Sequence, residues 1–150
     1  MSEESVRAHT AVHVLKGAVQ SVLGAKWTAS TYVSGGHGRL TVQFDRRPTD
    51  EEMERVERAA NEKVAEGAEV VEFEMEKEEA ENHFGKEIYD LFPVPEGVTR
   101  LKIVRIPDWN VNCCAEAHVG LTSEVGQIVV GPPRFRNSKK ELELEFDLSP

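Results

Sequence analysis

The sequence predicts an α+β fold in which a mostly antiparallel β-sheet is packed by helices, in a single domain over residues 1–150. Some segments have helical apolar periodicity with capping residues at their ends, and others alternate apolar and polar residues as strands do. The two kinds of segment do not follow the strict alternation of βαβ units. A chain of 150 residues can also bury a core without disulfide support.

The first helix is predicted over Glu3–Leu23, because Ser2 is a suitable N-cap and Gly24 a suitable stop. Its apolar stripe is Val12, Leu15, Val19 and Val22. The segment TASTYVSGGHGRLTVQFD then predicts two strands joined by a glycine-rich turn. The side chains expected on one face of the second strand are Leu40, Val42 and Phe44.

A second, acidic helix is predicted to begin at the capping box of Thr49 and Glu52 and to end at Gly67. Its predicted buried side is Met53, Val56, Ala60 and Val64. The segment VVEFEM predicts a half-buried strand, and a short helix follows to about Phe84. The prolines of YDLFPVPEGV predict an irregular loop. Further strands are expected at RLKIVRI, QIVVGPPRF and ELELEFDL.

The charge is unevenly distributed along the chain. The formal net charge is −9, which by itself argues against a nucleic-acid partner, but residues 50–81 carry 14 acids and four bases, so the rest of the chain is close to neutral. We therefore expect a polarised molecule whose acidic helix lies away from the functional cleft. The basic residues expected near that cleft are Arg100, Lys102, Arg105, Arg134 and Arg136.

Two pairs of possible metal ligands have the same four-residue spacing. His9 and His13 lie one turn apart on the first helix, and Cys114 and His118 repeat the step about 100 residues later. Imidazoles and a thiolate are the ligands that Zn²⁺ prefers. The alternative is a buried free cysteine beside core histidines, but two matched pairs among only five histidines and two cysteines favour one zinc ion per chain.

The remaining cysteine and histidines are not predicted to bind the metal. Cys113 is predicted to be a packed thiol, and His37 and His83 are predicted to be surface residues. A metalloprotease needs a glutamate directly after the first histidine, where this chain has Thr10. Four protein ligands would make the zinc structural, whereas His118 yielding to water and substrate would make it catalytic, and the spacing supports both.

The segments HTAVHVL and CAEAH, with KWTASTYVSGGHGRLTVQFD between them, resemble the editing domain of alanyl-tRNA synthetase and the free-standing alanyl-tRNA editing proteins, the AlaX family, in their short form. The family's HxxxH and CxxxH zinc signature falls on His9, His13, Cys114 and His118. One departure is that many members have glycines after the cysteine, where this chain has Ala115 and Glu116.

The resemblance implies a zinc-dependent hydrolase that deacylates alanine tRNA mischarged with serine, or with glycine. A synthetase pocket for alanine cannot strongly exclude either amino acid, so a second site must remove the errors. The catalytic residues implied are Cys114, His9 and His13, which hold the zinc together with His118, and Thr28 is implied to bind the seryl hydroxyl.

Two other functions are consistent with the sequence. One is a threonyl-type or other aminoacyl-tRNA deacylase, and the other is a non-enzymatic RNA-binding protein with a structural zinc. The sequence has no run of about 18 apolar residues and no signal peptide, and its two cysteines are adjacent, so we expect a cytoplasmic protein without membrane contact.

Overall fold

The computed structural model describes residues 2–91 and 94–149, and its strands form two antiparallel sheets rather than one. In chain order the elements are α1 (Glu3–Leu23), β1 (Thr28–Ser34), β2 (His37–Gln43), α2 (Asp50–Glu66), β3 (Val71–Glu76), α3 (Lys77–Phe84), a 3₁₀ turn (Lys86–Tyr89), β4 (Arg100–Ile106), β5 (Asn110–Cys113), a second 3₁₀ turn (Thr122–Val125), β6 (Gln127–Val130), β7 (Arg134–Arg136) and β8 (Glu141–Ser149). The α+β class with antiparallel pairing is thus confirmed.

Helix α1 has the predicted bounds and is more deeply buried than its predicted stripe. The Ser2 side chain accepts a hydrogen bond from the Ser5 amide, and Gly24 ends the helix with φ +72°. Every residue from Thr10 to Val19 is buried. The reason is that α1 contacts α2, β1, β2 and β5, so no side of its middle turns faces water.

A glycine of α1 allows a tryptophan to lie directly on the helix. A Cβ atom at Gly17 would overlap the indole ring of Trp109. The indole Nε1 of Trp109 donates a hydrogen bond of 2.9 Å to the Val14 carbonyl. The turn between β4 and β5 is therefore fixed against the middle of α1.

Helix α2 begins at the predicted capping box. The Thr49 hydroxyl accepts from the Glu52 amide, and the Glu52 carboxylate accepts from the Thr49 amide. The side buried against the core is the predicted one, comprising Met53, Val56, Ala60 and Val64. Gly67 ends the helix, also as predicted.

The larger sheet has the strand order β1-β2-β8-β6, with β7 also paired to β8. The predicted hairpin of β1 and β2 is confirmed. Its inner face joins the main hydrophobic core through side chains that include Leu40, Val42, Leu142, Leu144 and Phe146. The predicted alternation of β8 is therefore confirmed, and the core lies between this sheet and the helices α1 and α2.

The smaller sheet, with strand order β3-β4-β5, separates two cores. Phe73 and Met75 of β3 pack on one side in a second hydrophobic cluster with Ile88, Leu101 and Ile103. Side chains of opposite parity point to the other face, where Val104 joins the main core. Side chains alternate between the two faces along each strand, and this alternation places the polar residues Glu72, Lys102 and Asn112 on the same face as Val104.

Two strand predictions need correction. Strand β5 is absent from the prediction because it has only four residues, and two of them are asparagines of low β-propensity. The predicted single strand QIVVGPPRF is divided into β6 and β7, since the two prolines between them cannot donate ladder hydrogen bonds. The predicted irregular loop lies partly outside the described residues, at Phe92 and Pro93.

Within residues 2–91 and 94–149, no helix combines the length and apolar character needed to cross a bilayer.

Candidate metal centre

Three side chains with metal-ligating atoms come together where α1 meets the segment after β5. They are His13, Cys114 and His118, and their ligand atoms all lie within 4.8 Å of one another. Cys114 Sγ is 3.6 Å from His118 Nε2. The His13 and His118 rings meet edge to face, with centroids 4.9 Å apart. The fold thus unites one member of the first predicted ligand pair with both members of the second.

His9 lies one turn before His13 on α1 and is half-buried. It is not one of the three grouped residues. The pKa of His118 is lowered mainly by burial, and His9 is close enough to make a smaller contribution in the same direction. The assignment of His9 as a fourth ligand stays a prediction.

Both histidine rings are held by oxygen acceptors on their Nδ1 side. His13 Nδ1 donates to Asn110 Oδ1 over 3.2 Å, and His118 Nδ1 donates to Glu72 Oε2 over 2.8 Å. An amide or carboxylate oxygen can only accept, so the ring proton lies on Nδ1 and each neutral ring keeps a lone pair on Nε2. Metal-binding histidines are typically held in this way.

The surroundings favour neutral imidazoles. Burial, with smaller contributions from the nearby His118 and Lys16, lowers the pKa of His13 from 6.5 to about 3. Burial likewise raises the pKa of the Cys114 thiol. A metal ion needs neutral imidazole and thiolate, so the histidines already have the binding form and the cysteine would lose its proton on binding.

A buried polar network adjoins the group. Lys16, one turn after His13 on α1, forms an ion pair with Asp90, and the two side chains are only 4% and 5% exposed. Asn112 joins them, since its Oδ1 accepts from Lys16 over 3.0 Å and its Nδ2 donates to Asp90 over 2.6 Å. Asp90 has φ +56°, a backbone conformation that side chains disfavour. The network therefore holds Asp90 in a costly conformation.

Thr28 is connected to this network through its backbone. Its amide donates to Asp90 Oδ1 over 3.1 Å, and its carbonyl accepts from the Leu91 amide over 3.1 Å. The side chain is buried, and its Oγ1 has no hydrogen-bond partner within the part of the chain that the structure describes. Because buried hydroxyls are nearly always paired, this one is suited to a bound group.

The remaining candidate ligands lie elsewhere, as predicted. Cys113 packs in the second core beside Ile103 and is a packed thiol. His37 is at the surface beside Asp147, and His83 is exposed on α3.

The prediction that five bases lie together near the cleft is wrong, because they lie on β4 of the smaller sheet and β7 of the larger one. Glu72 belongs to the acidic segment and contacts His118 directly, but it lies on β3 and not on the acidic helix. The position of the acidic helix away from the cleft stays a prediction. Arg100 and Arg136 are neutralised by ion pairs with Glu76 and Glu143. Local sheet pairing, which brings acids opposite bases, decides these positions.

Several residues of the site were not predicted. Lys16 had a signal, because it is a charge within the otherwise apolar run VHVLKGAV. Asn110 and Asn112 alternate in WNVNC, which is typical of a strand with one polar face. Glu72 has no signal that distinguishes it from its neighbours Glu74 and Glu76.

Comparison with known proteins identifies relatives of one kind. No protein-family model matches the chain. It is 38% identical over 138 residues to the alanine–tRNA ligase of Methanopyrus kandleri, 36% over 128 residues to that of Pyrococcus abyssi, and 32% over 140 residues to that of Saccharolobus islandicus. These matches cover 91%, 85% and 92% of this chain but only 14–15% of the ligases, so the chain spans about one-seventh of the length of these curated relatives. Over most of its length the chain is therefore similar to one segment of the alanine–tRNA ligases, in agreement with its resemblance to the alanyl-tRNA editing proteins.

Proposed function

We propose that this chain is an alanyl-tRNA editing domain that hydrolyses the ester bond between alanine tRNA and a wrongly attached serine or glycine. The observation that carries the proposal is the grouping of His13, Cys114 and His118, in a chain related to alanine–tRNA ligases. The domain is taken to extend over residues 1–150, and its partner is the mischarged tRNA, which it would meet in the cytoplasm.

The donor set fits zinc. A thiol and two imidazoles with free Nε2 lone pairs match the borderline-soft character of Zn²⁺, and hard cations such as Mg²⁺ prefer oxygen ligands. His9 is proposed as the fourth protein ligand, either permanently or until substrate arrives. When bound, zinc would supply Lewis-acid chemistry at the ester and its attacking water.

Thr28 is proposed to select the substrate. Its buried Oγ1, which has no partner among residues 2–91 and 94–149, would exchange a hydrogen bond with the seryl hydroxyl. A correctly charged alanyl ester lacks that hydroxyl and would gain no hydrogen bond from Thr28, so the seryl ester would be bound in preference. Asp90 fixes the Thr28 amide, and the ion pair with Lys16 fixes Asp90 relative to α1.

The experiment is a deacylation assay with and without a zinc chelator. The substrates are alanine tRNA charged with serine, glycine or alanine, and threonine tRNA charged with serine. Zinc is then added back to the chelator-treated protein. We expect zinc-dependent hydrolysis of the seryl ester on alanine tRNA, with the alanyl ester spared; the glycyl ester, which also lacks a hydroxyl, tests whether a substrate that does not engage Thr28 is hydrolysed. A chelator-insensitive rate, or no hydrolysis by the zinc-loaded protein, would contradict the proposal.

The same assay separates the two alternatives. Preferential hydrolysis of seryl-tRNA for threonine would indicate a threonyl-type deacylase. Zinc-dependent tRNA binding without any hydrolysis would indicate an RNA-binding protein with a structural zinc.

A further inference from the structure

The His118 ring is completely enclosed, yet it is held by a carboxylate that reaches solvent. The His118 side chain is 0% exposed and Glu72 is 34% exposed, with 2.8 Å between His118 Nδ1 and Glu72 Oε2. Glu72 lies 46 residues earlier on β3, so the bond joins the ligand-bearing segment to the smaller sheet. This bond decides which ring nitrogen faces Cys114.

Lys102 holds the carboxylate and the ligand segment at the same time. Its Nζ lies 3.0 Å from Glu72 Oε2 and donates to the Glu116 carbonyl over 2.8 Å. The carbonyl of Lys102 accepts from the Cys114 amide over 3.0 Å. One residue of β4 therefore contacts Cys114, Glu116 and the carboxylate that orients His118.

Lys102 and Glu72 are well placed for this role by the register of the sheet. Glu72 pairs with Val104 and Glu74 pairs with Lys102, so Glu72 and Lys102 are diagonal neighbours on one face. A charge-assisted chain from ammonium to carboxylate to imidazole is the arrangement that fixes a ligand ring before the metal arrives.

We propose that Glu72 and Lys102 are positioning residues that hold His118 Nε2 toward Cys114 and thereby set the affinity of the site for zinc. The inference rests on the proposed zinc site and extends it to two residues that do not touch the metal. It also gives Lys102 a function other than contact with tRNA phosphates.

The test compares zinc affinity in Glu72→Gln and in the matched control Glu74→Gln, by competition with a chromophoric chelator. Both variants remove one carboxylate from the same strand and face. We expect Glu72→Gln to weaken zinc binding by about 10–100-fold. Glu74→Gln should change it by no more than about twofold, because exposed charges are screened. Equal affinities in the two variants would overturn the inference.

Two further measurements separate positioning from general damage. Thermal unfolding of the metal-free proteins should be similar for both variants, and the visible spectrum of bound Co²⁺ should change only in Glu72→Gln. Lys102→Met should weaken zinc binding less in the Glu72→Gln background than alone, because the two residues act in one chain. Full additivity would remove Lys102 from the proposal.

Wild-type behaviour distinguishes this inference from the proposed function. If wild-type protein binds no zinc, both fail. If wild type binds zinc and deacylates seryl-tRNA, but Glu72→Gln binds zinc equally well, only the positioning role fails.

Discussion

Lys16 and Asp90 form a buried ion pair between α1 and the end of the first 3₁₀ turn, across 74 residues of sequence. Asp90 also accepts a hydrogen bond from the Thr28 amide, so the ion pair connects the helix that carries His13 with the proposed specificity residue. A buried ion pair of this kind is weak evidence for stability, since apolar residues often stabilise a core as well. Its position next to the metal centre is better explained by orientation of the site.

Removing one partner of this pair should be far more damaging than removing one partner of an exposed pair. Asp90→Asn leaves the Lys16 ammonium buried without a counter-charge, so we expect a loss of about 3–5 kcal/mol in the free energy of unfolding. The control is Glu87→Gln, which breaks the pair between Lys26 and Glu87, where both side chains are more than half exposed. The control should lose less than about 1 kcal/mol. Denaturant titration measures both, and similar losses would contradict the expected cost of leaving the buried Lys16 without its counter-charge.

Thr28→Val should separate stability from selectivity. The variant keeps the shape of the side chain and removes an unpaired hydroxyl, so we expect unchanged or slightly higher thermal stability. The preference for seryl over alanyl ester should fall by about tenfold, the equivalent of one lost hydrogen bond.

Thr122→Val is the matched control for that substitution. The Thr122 hydroxyl is also buried, but it donates to the Lys63 carbonyl over 2.7 Å and accepts from the Ala68 amide over 2.9 Å. This variant should lose about 1–3 kcal/mol of stability and keep its selectivity. The Thr28 proposal is untenable if Thr28→Val keeps full selectivity for the seryl ester.

The two adjacent cysteines should differ sharply on substitution. Cys114→Ala removes one of the three grouped ligands, so it should abolish stoichiometric zinc binding. It should also lower the rate of seryl-tRNA deacylation by more than about 100-fold, because losing a ligand costs more than losing a residue that only supports a ligand. Cys113→Ala alters only the packing of the second core and should keep both properties. Metal analysis of the purified variants and the deacylation assay check the result. A Cys114→Ala protein with full activity and no metal would exclude the zinc mechanism.

The capping box of α2 gives a prediction about acid stability. The hydrogen bond from Arg46, together with that from the Thr49 backbone, lowers the pKa of Glu52 from 4.5 to about 2. A lowered folded-state pKa stabilises the protein above the unfolded pKa, and this contribution is lost as the pH falls from about 4.5 to about 2. The melting temperature of Glu52→Gln should therefore lie below that of wild type at pH 7 and approach it below pH 3, near the lowered pKa. A constant difference across this range would rule out Glu52 as the titrating group.

The parts of the site that could be predicted are those that the spacing of nearby residues in the sequence indicates. His13 lies within a helix whose caps are visible in the sequence, and Cys114 and His118 are four residues apart, so all three grouped residues are among the predicted ligands. Glu72 could not be found, because its identity as the partner of His118 depends on the register of β3 and β4. The same reason explains the error about the basic residues, since a count of charges does not state on which sheet each base lies or which carboxylate is opposite it.

The fold shows the same division. The caps and alternation of α1, α2 and β8 are local signals, and each was predicted with nearly correct bounds. The division of the strands into two sheets is not local, because it depends on which strands pair, and β5 adds to the smaller sheet only four residues that pair with β4 through a tight turn. Trp109 fixes that turn against α1 by its hydrogen bond to Val14, and the two residues are 95 positions apart in the sequence.

The seating of Trp109 against Gly17 has a consequence for transplanting the site into another protein. Asn110, which accepts a hydrogen bond from His13 Nδ1, directly follows Trp109, so the indole on Gly17 fixes the position of the amide that supports the proposed ligand His13. Copying the histidines and the cysteine onto a new helix and loop would therefore reproduce the ligand types but not the orientation of their side chains. The smallest portable unit would be α1 together with the whole sheet of β3, β4 and β5 and the segment after β5 that carries Cys114 and His118.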